Sequence, residues 1–137
     1  MHSKLMRLVA TVGLLMAAAL SVSAHHSFAA EFDQKKQVTL EGKVVMMEWV
    51  NPHSWLHIDV TNADGTVQRW KIEGGSPSVL LRKGWNRNSV PAGIKVKVVA
   101  FQAKDGSFRA SSRDLVFPDG RRMDLGGSSN EKDPTKQ

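Results

Sequence analysis

Five stretches in which apolar side chains alternate with polar ones, separated by Gly, Pro and Asp-Gly turn signals, predict an all-β domain. One helical cassette, Ser76 to Gly84, falls between the third and fourth stretches. The first stretch is long and carries Gly42 where a bend is cheap. Three strands, one short helix and then two more strands is the order of a small OB-fold-like Greek-key barrel. The expectation is therefore five to six strands with one short helix between strands 3 and 4. A small barrel of another topology or a two-sheet sandwich competes, because strand order is not readable from one sequence.

Val38, Leu40, Gly42, Val44 and Met46 share one parity while Thr39, Glu41 and Lys43 share the other, a strand with one wet face. From Val44 to Met47 both parities are apolar, as expected where a strand becomes covered on two sides. Glu48–Asp59 contains Asn51-Pro52, which makes it a corner, since proline fixes φ and keeps its predecessor out of the helical region. Leu56, Ile58 and Val60 then alternate with Trp55, His57 and Asp59, and Asp64-Gly65 turns the chain. Val67 to Glu73 is a third strand, with Trp70 on the parity of Ile72 and so expected in the core. Ser76-Pro77 supplies a capping hydroxyl and a proline at the first helical position, and Arg82-Lys83-Gly84 supplies the stop. Trp85 to Ala92 reads as a loop. Ile94, Val96, Val98 and Ala100 form the inner face of a fourth strand, with Lys95 and Lys97 outside. Phe108 to Phe117 is a fifth strand in which Arg109, Ser111 and Arg113 share a face, and Arg121 to Leu125 allows a short sixth.

The N-terminus has the charged, apolar, small-residue order of a secretory signal: Lys4 and Arg7, then Leu8 to Leu20, then Ser21-Val22-Ser23-Ala24. Its apolar part is shorter than the roughly 20 residues of a membrane span. Residues 1–24 are accordingly expected to be removed, leaving no membrane span, a periplasmic protein and His25 as the first residue. Residues 25–37 read as an extended N-terminal arm, 38–125 as the barrel domain, and 126–137, rich in Gly, Ser and charged residues, as a disordered tail. Loss of Lys4 and Arg7 lowers the formal charge from +6 to +4, a modest basic excess. With no cysteine, the chain cannot use disulfides, thiol chemistry or a cysteine zinc site, and must rely on its core.

The segments His25-His26-Ser27-Phe28, Val38-Thr39-Leu40-Glu41-Gly42, Glu48-Trp49-Val50-Asn51-Pro52-His53, Gly75-Ser76-Pro77 and Arg82-Lys83-Gly84-Trp85 form a combination. With Pro91-Ala92-Gly93 and Ala103-Lys104-Asp105-Gly106-Ser107, it resembles a family of short exported bacterial proteins filed as domain of unknown function 6152. The resemblance implies export, a single domain and a barrel-like fold. It brings no activity, ligand or catalytic residue.

Four histidines follow residue 24: His25 and His26 at the expected new N-terminus, and His53 and His57 at the corner. Imidazole is a common ligand for copper, nickel and zinc. A terminal histidine adds an α-amine with a pKa of about 7.7–8.0, and amine plus imidazole is a chelating pair for Cu(II). His26 in second position offers a chelate through its imidazole and the intervening amide. His53 and His57 share parity, but along a strand four residues span roughly 13 Å, too far for one ion unless Pro52 folds His53 back. Glu48 and Asp59 are candidate outer partners of these imidazoles, or simply keep strand ends wet. The competing reading makes the histidines ordinary polar residues, with His53 capping the corner and His57 solvated.

Single-stranded nucleic acid is a weaker expectation. Lys95, Lys97, Arg109 and Arg113 lie on strands, yet tyrosine is absent and the stacking aromatics such sites need are few. Catalysis is not expected: there is no Gly-x-Ser-x-Gly turn, no phosphate-loop or dinucleotide glycine pattern, and no evident acid–base pairing. The sequence thus predicts an exported small binding protein, with His25, His26, His53 and His57 as candidate ligands of a copper-type metal. Its rival is a metal-free periplasmic module that binds a protein or small ligand through Glu48, Trp49, Asn51, His53 and Trp55.

Overall fold

The computed structural model describes residues 25–130. The expected signal segment, residues 1–24, and residues 131–137 lie outside the described part. In chain order the elements are helix α1 (His25–Glu31), strands β1 (Phe32–Glu48), β2 (Trp55–Thr61) and β3 (Val67–Glu73), helix α2 (Pro77–Arg82), and strands β4 (Lys95–Ala103), β5 (Arg109–Val116) and β6 (Arg122–Asp124). A 3-10 turn, Ser128–Asn130, follows.

β1 pairs antiparallel with β2 through its second half and with β4 through its first. β2 pairs with β3, β4 with β5, and a short parallel contact between β3 and β5 closes the ring. The circuit β1–β2–β3–β5–β4–β1, with the helix between β3 and β4, is the five-stranded Greek-key barrel of the OB fold, and β6 is appended to β5. The expected fold class is the one observed. No helix among the described residues is long and apolar enough to cross a membrane.

A strand serving two neighbours on opposite sides must bend sharply. The bend is expected at Gly42, but the register shift lies between Val44 and Met46. Gly42 has a different duty: a Cβ there would stand 2.7 Å from the Asp59 carbonyl, so glycine permits the close approach of β2. α2 begins as expected, with the Ser76 Oγ accepting from the Val79 amide at 3.4 Å.

The barrel interior is filled by Leu40, Val44, Leu56, Ile58, Trp70, Ile72, Val96, Val98 and Leu115. Trp70 is core, as its parity predicts. Trp85 lies in a loop, as expected, but its side chain belongs to the core: it is 2% exposed, with its indole N–H donating to the Asp124 carbonyl at 2.8 Å. A second register shift, between Val99 and Ala100 opposite β5, breaks the strand's parity. Ser111 and Ser112 are therefore both buried and Arg113 is exposed, so Arg109, Ser111 and Arg113 do not form one uniform face.

Both chain ends depart from expectation. The arm is not extended: residues 25–31 are helical, and β1 begins at Phe32 rather than Val38. Phe28 and Phe32 supply the reason, burying themselves with Ala103, Phe101 and Trp55 in a second apolar cluster outside the barrel. Nor are residues 126–130 loose: the Gly127 amide donates to Ser112 O at 3.1 Å and Ser128 is buried. A Cβ on Gly127 would come within 2.5 Å of Ser112 O and 2.7 Å of Glu73 O, so this position tolerates only glycine without movement.

Candidate functional site

One row of residues crosses four strands at the end of the barrel that holds the corner. Trp55 of β2 is opposite Glu73 of β3, Glu73 is opposite Ser111 of β5, and Ser111 is opposite Phe101 of β4. Their chain neighbours Leu56, Ile72, Ala110 and Ala100 face the core, so this row faces outward. α1 bridges it, because the Phe28–Phe32 cluster packs on Trp55 at one end and Phe101 at the other. Phe28 meets Phe101 edge-on at 5.8 Å and stacks on Phe32 at 5.6 Å. Lys104 fastens the helix end, its amide donating to Glu31 O at 2.9 Å and its Nζ donating to Ala29 O.

Glu73, at the middle of the row, is 2% exposed. Ser128 donates to its Oε2 at 2.7 Å, and Ser111 and Ser128 share a contact at 3.3 Å. Burial pushes the carboxyl above its ordinary range. The Ser128 hydroxyl, the charge of His53 and the Ser111 hydroxyl oppose that shift, and nearby Glu31 reinforces it.

His53 reaches this carboxylate from the corner, which turns at a cis Asn51–Pro52 peptide. Beyond the corner the chain pairs with the end of β3: Ser54 N donates to Gly75 O at 2.9 Å and Gly74 N to Ser54 O at 2.8 Å. That pairing sets His53 Nδ1 3.3 Å from the Gly74 carbonyl and 3.1 Å from Glu73 Oε1. A carbonyl can only accept, so Nδ1 carries the proton and Nε2 is the nitrogen left to bind a ligand. A histidine whose other N–H is held by a carboxylate and a carbonyl is the arrangement that orients metal-binding imidazoles.

His57 does not join His53. Its Nε2 donates to Glu48 Oε2 at 2.6 Å, and its side chain is buried rather than solvated. That hydrogen bond holds the Glu48 carboxyl below its ordinary range, with the His57 and Lys71 charges adding to it. Of the expected outer partners, Glu48 thus serves His57, whereas Asp59 is taken by Arg69, with contacts of 2.6 and 3.0 Å. Among the described residues no group of three or more His, Cys, Asp or Glu side chains is placed to hold a metal ion. His25 and His26 open α1, and the ligand role expected of their side chains falls outside the described part.

The expected contact surface is divided by the fold. Trp49 packs on the barrel core and Trp55 on the α1 cluster, while Asn51 is exposed and Glu48 is engaged with His57. Of the basic strand residues, Lys95, Lys97 and Arg113 are exposed and Arg109 is half-buried, with Lys97 3.6 Å from Glu41. Ser128, Glu73 and His53 superficially suggest hydrolytic machinery, but the carboxylate lies between serine and histidine. The hydroxyl donates to the acid and not to an imidazole, so it is not activated as a nucleophile. Ser111 and Ser128 carry no local signal of a site, and Glu73 stands in the sequence only beside Glu48 and Asp59, as acids with no evident acid–base pairing. The only local signal was an acid directly following the apolar parity of β3.

A family described as of unknown function (DUF6152) has a model that matches residues 12–112. No curated protein and no solved structure matches the chain.

Proposed function

We propose a function for a chain that belongs to the family of unknown function DUF6152: an exported periplasmic binding protein that holds a copper-type transition metal. The ligands in this reading are the amine and imidazole of a processed N-terminal His25, or the imidazole of His26, together with Nε2 of His53. The observation that carries it is the fixed tautomer of His53, whose Nδ1 is committed to Gly74 O and Glu73. Two further features support it. α1 packs on Trp55, two residues from His53, so the arm and the corner lie at the same end of the barrel. Glu73 sits beneath α1 and reaches His53 from inside, giving the imidazole the outer support a lone histidine lacks.

Mass spectrometry of the exported protein tests the cleavage, with His25 expected as the first residue. Cu(II) titration of the parent, His25→Ala and His53→Ala proteins tests the site. Each substitution is expected to weaken binding at least tenfold. Micromolar or weaker binding that is indifferent to both would overturn the reading. The rival contact-surface reading is disfavoured by the division of its aromatics, Trp49 packing on the barrel core and Trp55 on the α1 cluster.

A further inference from the structure

We propose that Met46 and His57 form a separate site for a soft monovalent cation, copper(I) by its chemistry, on the outer face of the β1–β2 ladder. The register places Met46 directly opposite His57. Leu56 and Ile58 are fully buried in the barrel, so His57 between them projects outward, and its cross-strand partner Met46 shares that face. Such partners have Cβ atoms about 4.5–5.5 Å apart, within reach of an unbranched thioether. Glu48, two residues along β1 from Met46, lies on the same face and holds His57 Nε2 at 2.6 Å. An ionised carboxylate only accepts, so Nε2 carries the proton and Nδ1 is the nitrogen available to a metal. The ring is thereby oriented by a carboxylate, as metal-binding histidines commonly are.

Met46 is 48% exposed, whereas the next residue, Met47, is turned toward the barrel core. A half-exposed thioether thus stands directly opposite a withdrawn imidazole. One thioether and one imidazole are a soft donor pair that favours copper(I) over hard divalent ions. A monovalent d10 ion accepts two donors in line, so no third ligand is needed. The low exposure of His57, 7%, also disfavours an ion that keeps its water shell. The site uses neither His25 nor His53 and stands independently of the proposed N-terminal one.

Silver(I), which mimics copper(I) without redox chemistry, is the probe. Three methionines follow residue 24, namely Met46, Met47 and Met123, so their methyl resonances can be followed by NMR in the exported protein. One equivalent of silver(I) is expected to shift the Met46 methyl and leave Met47 and Met123 in place. Met46→Leu, an exposed and shape-conserving change, is expected to weaken silver(I) binding at least tenfold. The Met46 methyl shift is expected to persist in His53→Ala. A Met46 methyl that does not move, or equal binding by the Leu variant, overturns the site, as does loss of the Met46 shift in His53→Ala. Failure of the N-terminal reading is recognised separately, by Cu(II) binding indifferent to His25 and His53.

Discussion

Glu73 is a carboxyl under α1 with Ser128, Ser111 and His53 around it, and burial raises its pKa in the folded chain above the unfolded value of about 4.3. The folded state therefore holds this proton at pH values where the unfolded chain has released it. Stability from this group is fully present below the unfolded pKa and is lost as pH rises through the folded one. Glu73→Gln keeps the shape and an acceptor for Ser128 but cannot ionise. In metal-free protein, the unfolding free energy of the Gln variant minus that of the parent is expected to increase from pH 4 upward and then level off. Urea denaturation across that range measures it, and a difference that falls with pH would contradict the assignment. The same residue shows why the corner is more than a turn: without Glu73 and Gly74 O, nothing would fix which nitrogen of His53 faces outward.

The two terminal elements act as lids on one row of side chains. α1 has seven residues, fewer than the roughly 12–15 an isolated helix needs, so Phe28 and Phe32 hold it in place. Residues 126–130 reach the same row, through Ser128 to Glu73 and through Ser129 N to Ser111 Oγ at 3.3 Å. Ending the chain at Leu125 would strip a buried carboxyl of a hydroxyl partner. The expected loss is about 1–3 kcal/mol, read from the urea midpoint. An unchanged midpoint would mean that residues 126–130 carry no packing energy.

At the scale of the whole molecule, the barrel is closed by only three parallel pairs, Lys71–Arg109, Ile72–Ala110 and Glu73–Ser111, while β1 is ladder partner to both β2 and β4. Local opening follows contact density. Amide hydrogen exchange is expected to be slowest in β1, β2 and β4 and fastest in α1 and in β6, which has three residues paired only with β5. Protection of α1 equal to that of β1 would show that the helix opens only with global unfolding. That contrast bears on function, since the elements over Glu73 are those with least independent stability.

Local patterns in the sequence determine the barrel class, the bounds of β2 and β3, and the capped helix, because alternation, Asp-Gly turns and Ser-Pro caps are properties of neighbouring residues. Trp70 was legible from the parity it shares with Ile72. The separation of His53 from His57 was legible too, from strand rise alone. Trp85 was not, because its partner carbonyl at Asp124 is 39 residues away. The helicity of residues 25–31 and the packing of residues 126–130 were hidden for the same reason: Phe28, Phe32 and Ser128 are fixed by contacts with Phe101, Trp55 and Glu73, not by local propensity. The sequence by itself determined which donors exist and which cannot share one ion. Only tertiary structure decided which carboxylate holds each imidazole, because cross-strand register brings Glu48 to His57, and the pairing of Ser54 with Gly74 and Gly75 brings His53 to Glu73.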